Sequence, residues 1–167
     1  LKRTESDLGR YIESVEPILK AVKEDGDRAL VRFARELDQA EVEPDAIKVQ
    51  SQEFEKAFES VADDVVEAIR FAAENIRAFH EGQLPEPMRM NEVRPGVFCG
   101  EKTNPIPSVA CYVPRGKGSF PSVVLMTTIP AVVAGVPKIC ILTPPGPDGR
   151  VDDATLVAAR QAGVENI

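Results

Sequence analysis

Apolar residues recur at helical spacing through most of the first eighty positions, and then the pattern changes. Tyr11, Ile12, Val15, Ile18, Leu19 and Val22 mark one face of a helix that Ser6-Asp7 can cap. Pro17 lies inside that stretch, so a kink or a pair of short helices is expected there. Asp25-Gly26-Asp27 stops the pattern, and a second amphipathic helix from about Asp27 to Leu37 carries Ala29, Leu30, Phe33 and Leu37 on one face. Ala46 to Val49 reads as a short edge strand. A third helix begins at Ser51, with Glu53 and Glu55 in its first turn. A fourth runs from Asp63 to about Glu81, with Val66, Ile69, Ala73, Ile76 and Phe79 as its buried stripe. His80 falls in its last turn, where an imidazole complements the helix dipole, and reads as a cap rather than a catalyst.

Beyond Glu81 the period shortens. Leu84 to Met90, with Pro85 and Pro87, reads as an extended linker, and Glu92 to Thr103 as a hairpin turning at Pro95-Gly96. Asn104-Pro105-Ile106-Pro107 leads into a strand from Val109 to Val113. A loop containing Pro114-Arg115-Gly116-Lys117-Gly118 follows, then a long apolar segment from Ser122 to Val136 and a second strand from Ile139 to Thr143. Two strands joined by a helix predict a right-handed parallel crossover. Neither strand alternates cleanly, so both faces of the sheet are expected to be covered. Asp152-Asp153 caps a last helix through Ala162, Gly163 suits its C′ position, and Val164 to Ile167 looks like entry to a third strand. The fold class is α/β: a helical region with a hairpin over residues 1–107, and the first part of a parallel sheet over 108–167. A sheet stopped there predicts a piece of a longer protein, with uncovered apolar surface on the Ser122 to Val136 helix and self-association or partial disorder near Ile167.

Composition narrows the function classes. A net charge of -7 with no basic stripe argues against nucleic-acid binding. No run of about eighteen uncharged apolar residues offers a membrane span. The charged opening Leu1-Lys2-Arg3 is unlike a secretory signal, and without an initiator Met the N-terminus reads as trimmed. Cys99, Cys111 and Cys140 lack C-x-x-C spacing and are expected to be buried reduced thiols of a cytoplasmic protein; with a single His80 they leave too few ligands for an ordinary metal site.

The loop after the first parallel strand sits at the carboxyl end of the sheet, where open α/β folds bind ligands. Arg115, Lys117 and the amide groups opening the next helix favour an anion. Pro121 occupies the third glycine position of G-x-G-x-x-G, and the phosphate-loop pattern is absent. On pattern alone, a structural turn and a ligand site are equally open.

The residues then become more specific. Tyr112-Val113-Pro114, Gly116, Pro121-Ser122, Val124-Leu125-Met126, Ile129-Pro130-Ala131 and Val133-Ala134-Gly135 together resemble the signature of the histidinol dehydrogenase family. Asp25 to Leu30, Asn75 to His80 and Pro95-Gly96-Val97 resemble its upstream helices and hairpin, so the likeness runs from about Ile12 to Ile167. One departure is Arg115, where the family carries the first of two glycines. The resemblance implies a zinc- and NAD-dependent enzyme that oxidises L-histidinol through L-histidinaldehyde to L-histidine. It also implies a homodimer with Rossmann-like domains and an aldehyde-dehydrogenase-like architecture. Tyr112 is then expected at NAD, with Pro114 and Gly116 shaping the same wall. The family's zinc ligands and its Glu-His acid/base pair match nothing here and are expected outside this chain, which alone should not catalyse.

Two other readings compete. One is a non-catalytic α/β module whose loop from Arg115 to Ser119 holds an anionic ligand or a protein partner. The other is a paralogous dehydrogenase acting on a different hydroxylated substrate.

Overall fold

The computed structural model describes residues 8–115 and 118–167. Two compact units are present: residues up to Ile47 with Pro145–Arg150, and Lys48–Pro144 with Val151–Ile167.

In the first unit, α1 (Leu8–Asp25) continues through Pro17 as one helix, so of the two expected outcomes the pair of short helices does not occur; the Ser6-Asp7 cap lies outside the described residues. Helix α2 (Asp27–Asp38) follows and packs on α1. Their apolar stripes stay largely open: α1 buries no residue and α2 only Ala29, while Tyr11, Ile12, Val15, Leu19, Leu30 and Leu37 are exposed. Pro44–Ala46 forms a 3₁₀ turn rather than the start of an edge strand. Proline fixes φ in the helical range and suits the first position of such a turn.

The second unit holds the main core. Helix α3 (Ser51–Ser60) is capped by Gln50, whose N–H donates to Glu53 Oε1 at 2.9 Å. Helix α4 (Asp63–Glu81) buries Ile69 and Ala73. Phe79, expected in the stripe, lies exposed with its ring edge-on to His80. Strands β1 (Met88–Arg94) and β2 (Val97–Lys102) pair antiparallel about the Pro95-Gly96 turn, and Gly96 N–H donates to Glu92 Oε1 at 2.7 Å. Strand β1 thus begins inside the stretch read as linker. Every residue of this hairpin is exposed, Cys99 included, against the expectation that all three thiols are buried.

Strand β3 (Val109–Tyr112), helix α5 (Pro121–Val133), strand β4 (Ile139–Leu142) and helix α6 (Asp153–Ala162) complete the chain. Strands β3 and β4 are parallel, with Cys111 opposite Ile141 and Tyr112 opposite Leu142. Helix α5 packs on both strands and on α4 and α6, and α6 packs on α3 and α4. One side of α5 is therefore covered, with Val124, Leu125 and Ile129 in the core, while Met126 stays exposed as the expectation of open apolar surface on this helix had it. Buried Thr128 satisfies its hydroxyl within the helix by donating to the Val124 carbonyl at 2.6 Å. Past β4, Asp152 caps α6 and Gly163 ends it with φ of 90°, a left-handed conformation that glycine adopts without penalty. Ile141 N–H donates to the Asn166 carbonyl at 2.8 Å and Val49 N–H to that of Ile167 at 3.0 Å. The segment from Val164 thus runs along the free side of β4.

One face of the parallel pair meets the helices; the other does not. Cys111, Val113 and Ile141 are buried, whereas Tyr112 and Leu142 are 63% and 52% exposed. The expectation that both faces are covered is corrected for this chain. Apolar residues lie on both faces, and only one is matched by helices.

Candidate functional site

The carboxyl end of β3 and β4 is built by three local rules. Val113 N–H donates to the Leu142 carbonyl at 2.8 Å, but Pro114 has no N–H, so the ladder stops there and the chain turns out of the sheet. Pro121 occupies the start of α5, where its missing donor costs nothing. Past β4, Thr143-Pro144 repeats the same exit from the sheet. The result is a small cleft of about 10 Å³, room for roughly one water molecule, lined by Pro114, Arg115, Gly118, Ser119, Phe120, Thr143, Pro144, Asp152 and Thr155.

Of the residues singled out from sequence, Pro114 lines this cleft. Tyr112 is not among its lining residues; it stands on the uncovered sheet face across from Leu142. Gly116 lies outside the described residues, as does Lys117. Thr143, Asp152 and Thr155 join the cleft although no motif marks them. Asp152 carries a visible signal only as a helix cap, and Oδ1 does accept from Ala154 N–H at 3.0 Å. Its Oδ2 has a long 3.5 Å contact with the Thr155 hydroxyl.

Below the cleft, Cys111 faces α5, and its Sγ donates to the Thr127 carbonyl at 3.5 Å. Burial pushes the Cys111 thiol above its ordinary pKa, partly opposed by that hydrogen bond. A thiol held neutral is a core residue and not a nucleophile.

The arrangement brings an aromatic ring, a guanidinium, hydroxyls and one carboxylate together at the edge of the sheet. It does not fit a zinc ion, because among the described residues no group of three His, Cys, Asp or Glu side chains stands close enough to bind one. Among the same residues no helix is long and apolar enough to cross a membrane.

A parallel β–α–β unit packed on helices defines an α/β protein. The sequence profile of histidinol dehydrogenase matches residues 1–167. The chain is 61% identical, over 168 residues, to a histidinol dehydrogenase homolog of Cereibacter sphaeroides, covering all of this chain and 38% of that protein. It is 40% identical over 166 residues to a histidinol dehydrogenase of Synechocystis sp., covering 99% of this chain and 38% of that protein. The solved histidinol dehydrogenase of Elizabethkingia anophelis superposes with a TM-score of 0.88 at 32% identity, over 100% of this chain and 37% of that one. This chain belongs to the histidinol dehydrogenase family, and it spans about 38% of the length of the curated relatives it matches.

Proposed function

We propose that the intact protein is an NAD-dependent dehydrogenase that oxidises L-histidinol to L-histidine through L-histidinaldehyde, and that this chain supplies scaffold and cofactor contacts without catalysing alone. The observation that carries this reading is the family match over the whole chain. Residues 1–107 then form part of a larger α/β domain, and 108–167 open a Rossmann-like cofactor domain. Tyr112, Pro114 and Gly116 form the wall against which NAD lies, and the exposure of Tyr112 supports a ring free to stack on a ligand. NAD, when bound, takes up the hydride released at each oxidation. Zinc, which this reading also requires, draws its ligands and the acid/base pair from outside this chain. We place the protein in the cytoplasm as a homodimer.

A second reading has its own support. The relative at 61% identity bears the name of a homolog, whereas the named histidinol dehydrogenase from Synechocystis sp. stands at 40%. Together with Arg115 in the loop, this gap favours a paralogous dehydrogenase of a different hydroxylated substrate.

One experiment decides between them. The full-length protein is incubated with NAD and histidinol, or with a panel of other amino alcohols and diols, and reduced NAD is followed by absorbance. Reduction of two NAD per histidinol supports the first reading. Turnover of another alcohol with none of histidinol supports the second, and no turnover of any by a folded protein defeats both.

A further inference from the structure

Among the described residues, β1 and β2 form a sheet of their own, with an unpaired edge on each side. The register decides which backbone groups face outward. Thr103 N–H donates to the Pro87 carbonyl at 3.1 Å, so the pairs Arg89–Glu101 and Asn91–Cys99, further along the same ladder, are also hydrogen-bonded pairs. The N–H and C=O groups of Phe98, Gly100 and Lys102 therefore point away from β1, along the outer edge of β2. The two edges differ. Strand β1 follows Pro85 and Pro87, and its register shifts between Glu92 and Arg94; prolines and bulges blunt an edge against further pairing. Strand β2 contains neither. A two-stranded hairpin bare on both faces is marginal in water, and a regular open edge is a template for another strand.

The strand that fits this edge is β2 of a second copy. With a two-fold axis at Gly100, antiparallel pairing sets Phe98 against Lys102 of the other copy and Cys99 against Glu101, each in both directions, and no like charges oppose each other. Phe98 and Lys102 then make an aromatic–cation pair on either side of the axis. The row at the axis reads Met90, Gly100, Gly100, Met90. Met90 Sδ already lies over Gly100, where a Cβ would meet it at 2.6 Å, so the paired glycines leave room for the two thioethers between the two Phe98 rings. Met88, Met90 and Phe98 share this face, while Arg89, Asn91, Cys99 and Glu101 share the opposite, polar one. Resting on the homodimer reading above, we propose that the outer edge of β2 pairs antiparallel with its two-fold mate, making one four-stranded sheet across two copies of the chain.

Disulfide trapping in the full-length protein tests the pairing. Positions 99 and 101 of opposite copies face each other as a non-hydrogen-bonded pair, where side chains lie closest. Glu101→Cys should therefore give, on mild oxidation, a covalent dimer whose linked peptides join Cys99 to the new cysteine, read by non-reducing gel and mass spectrometry. Adding Cys99→Ser should abolish the link, because the two positions 101 stand diagonally, about 7–8 Å apart and beyond disulfide reach. In the Glu101→Cys background, Phe98→Lys sets lysine against Lys102 and should slow linking about tenfold, and adding Lys102→Glu should recover most of that rate. Phe98, Glu101 and Lys102 are exposed, so these changes spare the fold of each copy. A protein that sediments as a dimer yet forms no such link keeps the homodimer reading and overturns the edge pairing, leaving the rest of the longer chain to cover β2. A link that Phe98→Lys does not slow overturns it as well. A full-length protein that stays monomeric at every concentration removes both.

Discussion

The guanidinium of Arg160 lies 5.0 Å from the centre of the Phe54 ring. That contact joins α6 to α3, and the Glu165 carboxylate holds the Arg160 Nε from the other side. Phe54 is 1% exposed, so truncation leaves a cavity where α3 meets α6. Phe54→Ala should cost about 3–5 kcal/mol. Arg160→Ala should cost about 1 kcal/mol, since its partners are partly solvated and the ring contact is modest. Denaturant unfolding of both single variants and the double variant measures these losses. A Phe54→Ala loss below that of Arg160→Ala would refute the packing described.

Tyr112 should matter to binding and not to folding. Its side chain stands on the open sheet face, so Tyr112→Ala should change stability by no more than about 0.5 kcal/mol. NAD affinity of the full-length protein should fall, with Tyr112→Phe retaining most of it if stacking dominates. Equal NAD affinity in wild type and Tyr112→Ala would remove Tyr112 from the cofactor wall.

The three thiols should separate by reactivity. Cys99 is exposed and Cys111 buried, so iodoacetamide at mildly alkaline pH should label Cys99 first and Cys111 only on unfolding. The raised pKa of Cys111 also sets a sign for stability. As pH rises past the ordinary thiol range, the unfolded chain releases that proton before the folded one does. Stability should therefore be intact below about pH 8 and decline above it. Cys111→Ala should flatten the decline, measured by denaturant midpoints across pH. An identical slope in the variant would assign the effect to other groups.

Two glycines should respond differently to a single methyl group. Gly163 has a positive φ but open space around its missing side chain, so Gly163→Ala should cost about 1 kcal/mol of backbone strain. Gly149 combines a φ of 75° with the Glu41 carbonyl against the site of a Cβ, so Gly149→Ala should cost more. Thermal midpoints in the reverse order would contradict these two backbone conformations.

Elements defined by short-range chemistry were legible in the residues. Helix α6 keeps both expected ends, because the Asp152 cap and the Gly163 turn are decided within a few positions. The α3 cap falls on Gln50, one position before the residue read as the start, because Glu53 reaches back to its amide. What covers an apolar stripe was not legible. The spacing of Tyr11, Ile12 and Val15 marks the apolar face of α1 correctly, yet that face is open. Likewise Cys111 and Tyr112 are neighbours in one apolar run, and only the helices decide which of them is buried. The cleft was half legible: Pro114 and Arg115 lie in the loop that pattern brings forward. Asp152 and Thr155 reach it from beyond β4, through a proximity that periodicity does not encode.

The hydrogen bond from Val49 to Ile167 joins the two sequence ends of the second unit. Closing so long a loop costs chain entropy before any contact repays it, while the hairpin and the individual helices close locally. Mutations that weaken only the Val49 to Ile167 junction should then accelerate unfolding and leave the refolding rate nearly unchanged, the kinetic mark of a contact made after the transition state.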